Sequence, residues 1–163
     1  MPDKVSLKIL SYDDVVTKNV TEYLQSQLET NLPGLTVELN NIHKATAIQR
    51  YMDGEFDFGL LGLGADYADP TTFLNLLTVD GSGNYGKWDN QEFNNLMNAE
   101  KTTNVNNQSK RWDDLVKAAN VVNDTAVISP LYQPTLATMV KSKVQNVGYG
   151  NFGHFIFRDM SVK

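Results

Sequence analysis

The chain has 163 residues, 41% hydrophobic and 20% charged, with a net charge of −5 at pH 7. That is the make-up of a globular protein of ordinary single-domain size, and its acidic balance leaves no basic footprint for nucleic acid or an anionic membrane surface. No apolar run approaches the ~20 residues that cross a bilayer, and the absence of cysteine excludes disulfides, thiolate nucleophiles and zinc ribbons.

The first strand is read at 5–10 (VSLKIL), where Val5, Leu7 and Ile9 alternate. Asp13 or Asp14 then caps a long helix that repeats Val16, Val20, Tyr23, Leu24 and Leu28 at helical spacing. Pro33 and Gly34 stop it, and 35–39 (LTVEL) alternates again as a second strand. A shorter helix follows at 44–53, carrying Ile48, Tyr51 and Met52, with Gly54 suited to its C-terminal cap. Residues 56–63 are apolar almost throughout except for Asp57 and do not alternate, the pattern of a strand buried on both faces in a parallel sheet. The order β-α-β-α-β with short connections predicts right-handed crossovers and an α/β fold, a mostly parallel sheet covered by helices.

The second half reads as mainly helical. Asp69-Pro70 is an N-cap followed by a first-turn proline, opening a helix through Phe73, Leu74 and Leu77. A glycine- and asparagine-rich loop occupies 78–90, and helices are expected at about 91–100 and 108–123, with Trp112 on the apolar, core-facing side of the second. Strands are expected at 126–133, at the sheet edge because of Pro130, and at 136–140 and 154–157. No internal repeat or linker divides the chain, so 1–163 reads as one domain.

The segment GLGADYADP (62–70) concentrates the chemistry. It is a poor phosphate loop: the glycines sit inside the apolar run, the helix begins only after Pro70, and no GKS or GKT follows. Asp66 and Asp69 offer a carboxylate pair for a hydrolase, but an Asp directly before Pro70 is better explained as a helix cap. His43 and His154 are too few and too far apart for a metal site. Ser82 lacks the nucleophile-elbow pattern. What remains is Asp66, just beyond the third strand, where open α/β sheets bind ligands. Gly62, Leu63 and Gly64 ahead of it leave a bare backbone that another extended chain can approach. Such a backbone supplies strand-like hydrogen bonds and the carboxylate takes a cationic amine; the structural alternative is an aspartate capping a turn.

These residues carry a resemblance. GLGADYADPTTFLNLL is similar to the Gly-Trp-x-Ala-Asp-Tyr-x-Asp-Pro-x-x-Phe-Leu segment of oligopeptide-binding proteins of ABC importers, extracellular solute-binding family 5. The spacer GSGNYGKWDNQEFNNLM resembles that family's next loop and helix, and DTAVISPLYQPTLATMVKSKVQNV its Ala-x-x-Pro-Leu-Tyr and Val-Lys-x-x-Val pattern. The resemblance implies a periplasmic-binding-protein-like (type II) lobe, the C-terminal one of a longer two-lobed receptor that is periplasmic or, in Gram-positive bacteria, lipid-anchored outside the membrane. MPDKVSLKIL has no features of a secretion signal, as expected of a piece whose signal and first lobe lie upstream. It further implies capture of oligopeptides without catalysis or cofactor, with an N-terminal lobe and ABC membrane subunits as partners. Asp66 matches the aspartate that pairs with the peptide α-amine, and Gly62 to Gly64 the backbone that bonds its first residues. Leu63 stands where many members have Trp, and Leu60 where some have an Arg that reaches the peptide carboxylate. The family also contains binders of nickel, haem and oligosaccharides. Asp66 favours peptides among these, since neutral sugars need no amine-seeking carboxylate and Trp88 is the only loop tryptophan to stack on one.

Overall fold

The computed structural model describes residues 4–135 and 137–163. They form two compact units: the chain up to Leu63 with Val79–Trp88, and Gly64–Thr78 with Asp89–Lys163.

The first unit is built on β1 (Val5–Tyr12), α1 (Val15–Asn31), β2 (Leu35–Ile42), α2 (Lys44–Asp53) and β3 (Phe58–Gly59). The strands lie in the order β2-β1-β3, all parallel, with Val5 opposite Leu35, Tyr12 opposite Ile42 and Leu10 opposite Gly59. Asp14 caps α1 by accepting from the Thr17 amide at 3.0 Å, and Gly54 closes α2 at φ 73°, where a Cβ would be strained. Two right-handed crossovers stepping in opposite directions place α1 and α2 on opposite faces of β1. The side chains agree: Leu10 clusters with Ala47 and Tyr51 of α2, while Ser11 joins Asn41, whose amide donates to Ser11 Oγ at 2.8 Å and to Thr21 Oγ1 of α1 at 2.9 Å.

That polar trio shifts the buried face of α1 from the expected one. Thr21 is buried with Val20, Leu24, Gln25 and Leu28 half-buried beside it, whereas Val16 and Tyr23 are exposed. Apolar spacing alone overlooked that a threonine with a waiting partner is accepted in the interior. Farther along α1, Gln25 Nε2 donates to the Val37 carbonyl at 2.6 Å and Glu29 Oε1 accepts from the Val37 amide at 2.8 Å. Both act on the outer edge of β2.

The third strand is shorter and less buried than its sequence suggests. Only Phe58 and Gly59 pair with β1, and Phe58 is 53% exposed. The Asp57 carboxylate takes the Lys8 amide at 2.8 Å, a donor that a longer β3 would satisfy with main chain, and one further bond, Leu60 N–H to the Leu10 carbonyl, ends the pairing. Among the described residues β1 is its single neighbour, so the strand is an edge.

Tyr51 anchors that edge. Its hydroxyl donates to the Leu10 carbonyl at 2.6 Å and lies 3.2 Å from the Leu60 carbonyl, and its ring packs among Tyr12, Phe56 and Tyr85. A Cβ on residue 59 would fall 2.7 Å from a Tyr51 ring carbon. Gly59→Ala is therefore expected to destabilise the protein by about 1–3 kcal/mol, the usual range for overpacking, measurable as a lower urea midpoint. An unchanged midpoint would show that the Tyr51 ring yields freely.

In the second unit a single turn, α3 (Thr71–Leu74), runs into a 3₁₀ turn at Asn75–Leu77. α4 (Gln91–Lys101) and α5 (Gln108–Asp124) follow, capped by the side chains of Asn90 and Asn107. These two helices pack together through Phe93 and Met97 against a stripe of Leu115, Ala118 and Val122, and α3 packs on α5. Trp112, expected in the core, is 55% exposed because the buried stripe of α5 runs through 111, 115, 118 and 122.

The expected strand at 126–133 is absent, and 137–140 of the expected strand at 136–140 are irregular; Leu136 lies outside the described residues. Pro130 and Pro134 remove ladder donors from this stretch. The expected strand at 154–157 is present as β6 (Phe155–Ile156), paired antiparallel with β5 (Gly148–Tyr149), and β4 (Val144–Gln145) pairs with β7 (Ser161–Val162).

Candidate functional site

The chain leaves β3 at Gly59 and passes from the first unit to the second between Leu63 and Gly64. Gly62 and Leu63 thus belong to the end of the first unit, Gly64 and Asp66 to the start of the second, following one another along one stretch of chain. Gly62, Leu63 and Gly64 are exposed, and a Cβ added to either glycine would meet nothing within 4 Å. Neither glycine has a positive φ. Packing and backbone geometry in this chain therefore do not demand them; their effect is to leave the main chain uncovered.

Asp66 lies seven residues past β3, farther than the sequence suggested because the strand is short. It is exposed, and its backbone amide donates to Thr72 Oγ1 at 3.0 Å. Among the described residues its carboxylate makes no hydrogen bond or ion pair. The capping role belongs to Asp69, whose Oδ1 accepts from the Thr71 amide at 3.0 Å and the Thr71 hydroxyl at 2.7 Å. Since the Thr71 hydroxyl donates there, the Tyr67 hydroxyl 3.2 Å away is the donor to Thr71 Oγ1.

Asp69 is also the centre of an ion-pair chain that sequence reading missed. Arg111 of α5 grips it with both terminal nitrogens, Nη1 to Oδ2 at 2.8 Å and Nη2 to Oδ1 at 3.1 Å. Its Nε lies 3.0 Å from Oε2 of Glu100, which is only 3% exposed on α4. The Arg111 guanidinium, helped by Thr71, holds the Asp69 carboxyl far below the ordinary carboxylate range, and the same pairing raises Arg111 above its usual value. One signal was available: Glu100 continues the apolar stripe Phe93-Met97 of α4 and Arg111 that of Leu115 and Ala118 on α5. Opposite charges on two buried stripes announce a pair, because neither is tolerated there alone.

Chemically, Asp66 and Asp69 stand in different surroundings: Arg111 and Thr71 engage the Asp69 carboxylate and hold it in its charged form, while among the described residues the Asp66 carboxylate has no such partner. His43 sits at the N-terminus of α2 without a capping bond and His154 is exposed in the β5–β6 connection. Among the described residues no cluster of three His, Cys, Asp or Glu side chains is placed to hold a metal. A shallow apolar depression of about 340 Å³, lined by Met139, Val140, Val144, Phe155, Phe157 and Met160 among others, lies in the C-terminal part of the second unit. None of those lining groups is a carboxylate.

Comparison with known proteins places this geometry in a context. A family profile described as bacterial extracellular solute-binding proteins, family 5, matches residues 2–85. A dipeptide-binding protein of Lactococcus lactis subsp. cremoris is 30% identical over 152 residues, covering 92% of this chain and 28% of that protein. Listeria monocytogenes OppA bound to peptide superposes with a TM-score of 0.84 at 30% identity, covering 99% of this chain and 30% of that one. The substrate-binding domain of an oligopeptide ABC transporter from Bacillus anthracis gives a TM-score of 0.90 at 27% identity over 99% of this chain and 32% of that one. The chain thus spans under a third of the length of these relatives.

Proposed function

Since the chain belongs to the family 5 bacterial extracellular solute-binding proteins, we propose that it is part of a receptor that captures extended oligopeptides for an ABC importer, without catalysis. Asp66 receives the peptide α-amine, and the backbone of Gly62, Leu63 and Gly64 hydrogen-bonds its first residues as an added strand would. Leu63, in place of a larger ring, leaves room beside the first peptide side chain. The rest of the receptor supplies a second lobe that closes over the ligand, and the whole works outside the cytoplasmic membrane, periplasmic or held there by a lipid anchor, delivering peptide to the importer's membrane subunits.

The observation that carries this reading is Asp66 itself: an exposed carboxylate with no partner among the described residues, on a turn whose backbone is pinned, two residues after bare glycine backbone. The names of the relatives, dipeptide- and oligopeptide-binding proteins, support the ligand class. Calorimetric titration of the complete gene product with tri- to pentapeptides, oligosaccharides and nickel tests it. Binding confined to peptides is expected. Binding of sugar or nickel with none of peptide overturns the ligand class, and peptide turnover that vanishes in Asp66→Asn overturns the receptor in favour of a hydrolase.

A further inference from the structure

Asp66 is exposed and its side chain unsupported, yet a carboxylate that selects a charged amine works best when its direction is fixed before the ligand arrives. The supports lie behind it, within the second unit. The Asp66 amide is held by Thr72 Oγ1, the Thr72 amide by the Asp69 carbonyl at 3.0 Å, and Tyr67 next to Asp66 by Thr71, which is itself bonded to the Asp69 carboxylate. Every path runs to Asp69. Asp69 in turn is tied to α5 by two bonds from Arg111, and Arg111 is tied to α4 by Glu100. Thr71 and Thr72 are buried, so their hydroxyls have these partners in place of water.

We infer that Arg111 is a positioning residue for ligand recognition: by locking Asp69 to the α4–α5 pair, it sets the direction of the Asp66 carboxylate toward the ligand's amine. The inference rests on the reading of Asp66 given above. A planar fork with a third donor is what the geometry uses, since all three guanidinium nitrogens are engaged. Lysine, a point charge on a flexible stem, keeps the charge but cannot make the fork and the Glu100 bond together. Cap strength alone would be served by Thr71; the fork orients the cap.

The test uses the complete gene product as wild type, Arg111→Lys, Glu100→Met/Arg111→Met and Asp66→Asn. Each is titrated with a tri- to pentapeptide mixture and with the same mixture N-acetylated, and hydrogen exchange is followed at the Asp66 amide. The quantity read is the ratio of the two affinities, the preference for a free amine. Arg111→Lys is expected to reduce this preference by about tenfold to a hundredfold, by analogy with the loss seen when a group that orients a metal-binding side chain is removed. Affinity for the acetylated mixture should change less than about threefold, a bound set by the independence of unrelated sites. Exchange at Asp66 should quicken while the helices stay protected. The paired Met variant, which removes the clamp without stranding Glu100, should behave like Arg111→Lys and so keeps the test open if lysine disturbs folding. Equal weakening of both mixtures, or an unchanged preference with faster exchange, overturns the positioning role. An unchanged preference in Asp66→Asn instead overturns the amine assignment, whatever Arg111 does.

Discussion

Asp66→Ala is expected to weaken binding of a free-amine peptide to the complete receptor by about 30- to several-thousand-fold. When two lobes close on a peptide, the ligand loses water on both sides, and truncating one member of an enclosed charge pair costs roughly 2–5 kcal/mol, mostly because the other charge is left unpaired. At 1.4 kcal/mol per tenfold, that range gives the stated factors. On an open surface the same pair is worth only about 0–1 kcal/mol, so this chain by itself should bind peptide weakly and Asp66→Ala should change that little. N-acetylation of the peptide removes the partner from the other side. It should lower affinity for the wild-type receptor by a similar factor and add little in Asp66→Ala. Calorimetry on the four combinations of protein and peptide decides the matter: additive losses would mean that Asp66 and the amine are not partners.

Arg111→Met is expected to be among the most damaging substitutions for stability, costing about 3–5 kcal/mol, because it strands the buried Glu100 carboxylate. Adding Glu100→Met should return most of that loss, since an apolar pair of similar volume is often as stable as the ion pair it replaces. Asp69 then keeps its cap on Thr71 without its cation. Chemical denaturation of the three proteins supplies the comparison; a double variant no more stable than Arg111→Met would place the damage in lost packing of the arginine stem. Acid offers a second check. The Asp69 carboxyl is depressed in the fold relative to the unfolded chain, so its contribution is fully present above the ordinary aspartate range and is lost progressively as pH falls below it, toward the folded value. Wild-type stability should therefore drop more steeply below about pH 4 than that of the Glu100→Met/Arg111→Met variant.

The regular elements of the first half were legible in the sequence because each has a local cause. Asp14 caps α1, Pro33 and Gly34 end it, Gly54 closes α2, and alternation marks β1 and β2. The face of α1 was misjudged because Thr21 and Asn41 satisfy each other across 20 residues, a relation no local window contains. The length of β3 was misjudged because Asp57 substitutes for main chain at Lys8. After Thr125 the apolar residues of 126–140 suggested strands, but strands need partners, and in the described residues that stretch has none. At the site, Asp66 and its glycines stood out by residue type alone. Arg111, Glu100 and Thr72 did not, since what assigns their role is tertiary contact between α3, α4 and α5.

The two borders of the three-stranded sheet are not equivalent. On the β2 side the outward main-chain groups of Val37 are already occupied, the amide by Glu29 and the carbonyl by Gln25. An incoming strand would have to evict both near the start of β2, so that border resists the edge-to-edge polymerisation to which open sheets are prone. Among the described residues no side chain makes a bond of that kind to the main chain of Phe58 or Gly59 in β3. Under the proposed capture of extended chains, closure of the β2 margin at Val37 is what would keep the sheet from pairing with its own copies.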